Sequence, residues 1–239
     1  TDHIPPPKAL QSQSPLSHHI ANHIMISDDG TRIIGVADDM RNEIDKVVIP
    51  EGVTTIEPQA FHRCWNLTSV QFPSTLKTIG AEAFWHCFSL KEFVLSEGLK
   101  TIEAEAFNGC ANKPGIVVDI RIPASVENIG EEAFALSGID RIEAEPDNPH
   151  YFSRDGVLYK RDSHENVLVS FQRKGLDTFT VDADITALGT LSFMGCNVKT
   201  VILHDEMKSL GEERTFWLSK IEQIELPASI QRIPPACFG

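Results

Sequence analysis

The chain has 239 residues, with 34 acids against 21 bases and a formal net charge of −13. That balance argues against nucleic-acid binding, which needs clustered Lys and Arg for phosphate, and against electrostatic docking to anionic lipid. No apolar run approaches the roughly 20 residues that cross a bilayer, so membrane insertion is not expected. Hydrophobic residues are 41% and charged residues 23%, an ordinary globular balance. Five cysteines are too few for a disulfide scaffold. The composition is skewed in one respect, with 13 Phe against 2 Tyr and 3 Trp.

Residues 1–19, rich in Pro, Ser, Gln and His, show no helix or strand period and read as a flexible leader or linker. They have neither the basic start nor the apolar core of a signal peptide. His18, His19 and His23 lie close together, but no H-E-x-x-H or carboxylate framework accompanies them, and no metal is expected. Residues 20–43 read as a hairpin about Asp28-Asp29-Gly30 that caps the N-terminal end of the segment beginning at residue 44.

From residue 44 to 239 the sequence repeats. Leu67, Val70, Phe72, Pro73, Leu76, Ile79, Gly80, Ala83, Phe84 and Cys87 have counterparts in copy after copy. The recurring Phe positions are 61, 84, 107, 134, 193, 216 and 238, with spacings of 23, 23, 27, 59, 23 and 22. The 27 holds a four-residue insertion at Asn112–Gly115, and the 59 holds a larger one. Within a copy, Leu67, Val70 and Phe72 point inward on a strand, and Ser69 and Gln71 point out. Pro73 ends the strand, a second short extended piece comes next at Lys77–Ile79, and Gly80–His86 is expected as a short helical turn. One such unit cannot bury its apolar side alone, but stacked coils can. The predicted fold is therefore an α/β solenoid, a right-handed superhelix of about eight coils of 22–23 residues. A β-hairpin insert is expected at about 147–175, with turns at Asp155-Gly156 and Ser163–Asn166. Because Phe238 belongs to the repeat, the expectation is that the chain continues past Gly239, or that this end packs on another molecule.

Residues 67–87, LTSVQFPSTLKTIGAEAFWHC, match the phrase L-x-x-V-x-I-P-x-x-V-x-x-I-G-x-x-A-F-x-x-C nearly throughout. The pattern resembles the BspA-like class of leucine-rich repeats over about 44–239, and the insert resembles one that family uses. The resemblance implies a secreted or surface-exposed bacterial protein that binds host or matrix proteins. It leaves two other assignments open: a repeat domain of an exported effector, or a scaffold joined to a catalytic domain outside these residues.

Catalytic motifs are missing. There is no G-x-S-x-G, no phosphate loop and no calcium loop beyond Asp28-Asp29-Gly30 or Asp155-Gly156. Cys64, Cys87, Cys110 and Cys196 each sit three residues after a recurring Phe, one per coil, and so read as a buried column rather than a metal cluster. His62 and His86 are expected to face solvent, and Trp85 and Trp217 to be partly buried against neighbouring coils. The chain is accordingly expected to be a non-enzyme without a cofactor, and its partner is expected to be a protein. The outward strand positions are the candidate binding face. They are Lys46 and Val48, Ser69 and Gln71, Glu92 and Val94, Asp119 and Arg121, then Arg141 and Glu143, Thr178 and Thr180, Thr200 and Ile202, and Gln223 and Glu225.

Overall fold

The computed structural model describes residues 23–239. The leader at 1–19, with His18 and His19, lies outside them. β1 (Ile24–Ile26) and β2 (Arg32–Val36) form an antiparallel hairpin. Each coil then contributes a strand and a second short one. These are β3 (Lys46–Val48) with β4 (Thr55–Ile56), β5 (Ser69–Gln71) with β6 (Thr78–Ile79), β7 (Glu92–Phe93) with β8 (Thr101–Ile102), and β9 (Val118–Ile122) with β10 (Asn128–Ile129). β11 (Ile139–Ala144) opens the next coil and leads into β12 (Tyr151–Arg154), β13 (Val157–Arg161) and β14 (Asn166–Ser170). The last coils supply β15 (Thr178–Thr180) with β16 (Ile185–Leu188), then β17 (Thr200–Ile202) and β18 (Gln223–Glu225).

Within the rows β3–β5–β7, β2–β4–β6–β8–β10 and β15–β17–β18, the strands of successive coils pair in parallel with no slip, whereas β11 pairs with β9 with a register shift between Ile139 and Arg141. Val47 lies opposite Val70, and Val70 opposite Phe93. On the second row Ile33, Ile56, Ile79, Ile102 and Ile129 form one column through β2, β4, β6, β8 and β10. The repeat spacing sets this register, because a one-residue slip would turn every apolar side chain outward.

The third side of each coil departs from the expected helical turn. Among the described residues the only helix is the three-residue 3₁₀ segment Asp38–Met40, so the fold is a β-solenoid and the α/β description is corrected. Around Phe61, the N–H groups of Ala60, His62 and Cys64 close turns onto the carbonyls of Glu57, Gln59 and Phe61. The intervening N–H groups of Gln59, Phe61 and Arg63 donate instead to Ala81, Ala83 and Trp85 of the next coil. An α-helix would direct its N–H groups to carbonyls four residues back within its own segment. Here half of them stitch one coil to the next. The alternation requires left-handed backbone two residues on either side of each Phe. Gln59, Arg63, Glu82, His86, Glu105, Glu132 and Leu136 have φ between 53° and 60°. Each such residue costs about 1–2 kcal/mol intrinsically, and the inter-coil hydrogen bonds offset it.

The Phe column fills the interior. Phe61 and Phe84 stack at 5.1 Å, Phe84 and Phe107 at 5.2 Å, and Phe193 and Phe216 meet at 5.1 Å. The 59-residue gap hides one further member. Phe171 is fully buried, stacks on Phe193 at 4.9 Å, and donates its N–H to Ser192 as Phe61 does to Ala83. The insert is therefore part of an enlarged coil, in which β14 pairs in parallel with β16.

The hairpin β12–β13 divides the core. Leu158 and Tyr151 pack into the apolar cluster of the N-terminal coils, whereas Val157, Tyr159 and Phe152 pack into the cluster of the C-terminal coils. Strand alternation sends successive side chains to opposite sides, so one ribbon serves as the wall of both cores. Asn148 anchors it. Buried to 2% exposure, its Nδ2 donates to the carbonyls of Pro123 and Val126, and its Oδ1 accepts from the N–H groups of His150 and Tyr151. The Tyr151 hydroxyl accepts the Ile129 N–H at 2.8 Å, which gives the buried phenol its partner. At the far end Leu226, Ile233 and Phe238 are exposed, whereas their counterparts Leu203, Leu210 and Phe216 in the preceding coil are buried.

Candidate functional site

The outward strand residues share one side of the solenoid, but they fall into three patches. In the first, Lys46 lies beside Ser69 and Ser69 beside Glu92, with Val48 beside Gln71. Val94 comes just beyond β7 and is 79% exposed. In the second, Asp119 lies opposite Arg141, and Arg121 opposite Glu143. Arg141 donates to Glu143 at 2.8 Å and Arg121 to Glu145 at 3.1 Å. In the third, Thr178, Thr200 and Gln223 form one row, and Thr180, Ile202 and Glu225 the other. All these side chains are exposed or half-buried.

A groove opens where the first patch meets the second, with members of both in its lining. β7 ends one three-stranded sheet and β9 borders a separate two-stranded one, with no pairing between them. The groove has a volume of about 890 Å³ and is lined on one side by Glu51, Ser69–Phe72, Ser74 and Lys91–Glu97 and on the other by Val117–Asp119. Val117, 63% exposed, is a surface residue that strand alternation alone did not pick out. The sequence signal for it is the four-residue insertion at Asn112–Gly115, which displaces the start of β9. The next break, beside β11, is closed by the hairpin, where Ile142 N–H donates to Gly156 and Ala144 N–H to the Ser153 hydroxyl.

On the turn side, His62 and His86 are half-buried rather than solvent-facing. His62 stacks on Trp85 at 4.8 Å, and the Arg63 guanidinium lies 5.2 Å from the Trp85 ring. Burial, then the nearby Arg63 charge, lowers both imidazole pKa values, which suits packing better than acid–base chemistry at neutral pH. The cysteine column is interior. Cys87 and Cys110 donate their thiols to the Phe61 and Phe84 carbonyls one coil back. Burial pushes the Cys64 thiol up to about 12 and the Cys196 thiol up to about 11. Such thiols stay protonated, which makes them poor nucleophiles and poor metal ligands.

Glu105 and Glu132 line the turn side with the buried amide of Asn108 between them, and Asn108 Nδ2 donates to Glu132 at 3.2 Å. Burial, followed by the neighbouring carboxylate, raises both carboxyls above the usual 4.5. A raised carboxyl favours the folded state below its ordinary value and loses that advantage as pH rises through the folded one. Glu132→Gln is therefore expected to raise the thermal midpoint at pH 7 relative to the parent. The difference should shrink as pH is brought below 4.5. Melting curves across pH check this, and a difference independent of pH would refute the linkage.

The comparisons with known proteins bear on the fold these residues share. The model for the BspA type leucine rich repeat region matches residues 40–153 and 169–239 in six copies. The two matched segments flank a stretch that contains β13. The pneumococcal vaccine antigen PcpA aligns with a TM-score of 0.66 and 24% identity over 79% of this chain and 50% of its own. The chain thus spans about half the length of that antigen. A leucine-rich repeat protein from Eubacterium ventriosum aligns with a TM-score of 0.62 and 18% identity, over 91% of this chain and 74% of its own. No curated protein matches the chain. The matched repeats cover most of the sequence and carry the Phe column, the paired strands and the outward rows described above, and the chain belongs to the BspA type leucine-rich repeat family.

Proposed function

We propose that the chain is a non-enzymatic module of a secreted or cell-surface bacterial protein, and that it binds a host or matrix protein through its strand face. The observation carrying this reading is the parallel rows of exposed side chains, held in fixed register by the ladders beneath them. A rigid extended face recognises a partner with little ordering cost. The pneumococcal protein of the same fold is a vaccine antigen, which supports exposure outside the cell. The negative net charge, −13, favours a partner surface with basic character.

The test is biolayer interferometry of the module against purified extracellular-matrix and serum proteins. Charge reversals Arg121→Glu, Arg141→Glu and Glu143→Lys touch only partly exposed ion pairs, each worth at most about 1 kcal/mol to stability, so the variants should fold. At least one panel protein is expected to bind, and the reversals to change its affinity by about tenfold or more, with Glu143→Lys weakening it. Binding unaffected by these reversals, and by equivalent changes in the other two patches, would exclude the strand face. Turnover of any substrate by the module would contradict the non-enzymatic reading.

A further inference from the structure

Taking the strand face as the binding surface, we propose that the groove between β7 and β9 seats an extended peptide with alternating basic and apolar side chains, which adds as a strand to the open sheet edge. An unpaired strand edge presents a row of N–H and C=O groups that another chain can complete. Here two such edges, β7 and β9, border one groove. β11 is spared this exposure by the hairpin.

The groove is held open by covalent and hydrogen-bonded structure. The same two coils are paired on their other sides, through β8 and β10 and through Phe107 N–H to the Ala133 carbonyl. Only the strand side parts, where Asn112–Gly115 adds length. The receptor is therefore preorganised, and the ordering cost falls mainly on the peptide.

The lining selects the ligand. Phe93, Val94 and Val117 supply apolar surface, and Val94 and Val117 are the two most exposed large hydrophobic residues among those described. Glu51, Glu92, Glu97 and Asp119 supply four negative charges against the single Lys91. A second copy of this acidic chain would be repelled by that rim, whereas a segment alternating Lys or Arg with Val or Ile matches both the charge and the two-residue strand period.

The experiment is fluorescence anisotropy with a labelled hexapeptide, acetyl-Lys-Val-Lys-Val-Lys-Val-amide. Saturable binding at one site is expected, with no measurable binding of the Glu-Val counterpart. Methylating the peptide's valine backbone nitrogens keeps its charge and side chains but removes strand donors, and should weaken binding about tenfold or more. Glu92→Lys with Asp119→Lys should do the same, and Glu212→Lys with Glu213→Lys, the same charge change at exposed turn-side positions away from the strand face, should change nothing beyond a small uniform loss. Deletion of 112–115 should abolish binding if the shortened coil folds, and the point variants keep the test decisive if it does not. Equal binding of the methylated peptide, equal loss in the distant variants, or no saturable binding would overturn the proposal. If the hexapeptide fails while a matrix protein still responds to the Arg121 and Arg141 reversals, the strand-face function stands and the groove assignment falls.

Discussion

Phe107→Ala is expected to destabilise the N-terminal half of the solenoid by about 3–5 kcal/mol and to leave the C-terminal half melting nearly where it did. Phe107 is fully buried, with Phe84 at 5.2 Å, Phe93 at 5.0 Å and Phe134 at 6.0 Å. Truncation removes the ring, leaves a void that close-packed neighbours fill only in part, and forfeits the stacking contacts on both sides. In a stacked array each coil contacts chiefly its neighbours, so the loss spreads by nearest-neighbour coupling. The β12–β13 wall is expected to damp that spread, because it separates the two main apolar clusters and leaves only narrower contacts between the halves, Val169 against the first cluster and Ala135 and Leu136 against Leu191 and Met194 on the turn side. Phe193→Ala should produce the complementary effect, since Phe193 stacks with Phe171 and Phe216 beyond the wall. Urea titrations of single-tryptophan variants check both results. Trp65 and Trp85 report on the first half and Trp217 on the second. A single transition shifted equally at all three probes by either substitution would show one cooperative unit instead.

Gly138→Ala should be similarly severe, at about 3 kcal/mol or more. A Cβ at this position would lie 1.9 Å from the Ala111 carbonyl oxygen and 2.7 Å from its carbon. Neither backbone segment is free to give way. Gly138 N–H donates to Cys110 and its carbonyl accepts from Val118, while Ala111 N–H donates to Cys87. Gly52→Ala separates steric contact from backbone preference. Gly52 has φ +98° but nothing within 4 Å of its would-be Cβ, so only the conformational cost of about 1–2 kcal/mol applies. The difference in urea midpoint between the two variants measures the clash. A Gly138→Ala protein no weaker than Gly52→Ala would mean that the coils yield at this corner.

Much of this architecture is legible in the sequence because a solenoid writes the same physical requirement at every coil. The Phe column, the inward strand positions Val47, Val70 and Val201, and the outward rows can be read from spacing and alternation alone. The turn side cannot. Ala and Glu around Phe84 and Phe107 are good helix formers by intrinsic preference, and only the presence of a neighbouring coil diverts their N–H groups into the inter-coil ladder. Phe171 escaped because it lies 37 residues after Phe134, although it precedes Phe193 by the repeat-like 22. The scarcity of tyrosine is a consequence of dry core positions, yet Tyr151 is buried because Ile129 N–H meets its hydroxyl. That pairing depends on how β10 ends beside the hairpin. For the candidate face, alternation identifies which residues point out. It is silent on the division into three patches, which depends on how four inserted residues and a hairpin are accommodated between stacked coils.

The hairpin wall also has a consequence for how the chain finds its fold. Coils this similar could assemble one unit out of step, since Ile56, Ile79 and Ile102 would each accept the place of the next. Among the described residues the wall has no double. Its Leu158 must face one core, Val157 and Tyr159 the other, and Asn148 must meet the Pro123 and Val126 carbonyls. A stack slipped by one coil would leave these groups beside the wrong coil, without the partners that satisfy them. The segment that breaks the repetition thus acts as a place marker, fixing how many coils lie before it and discouraging the misassembly to which repetitive chains are prone.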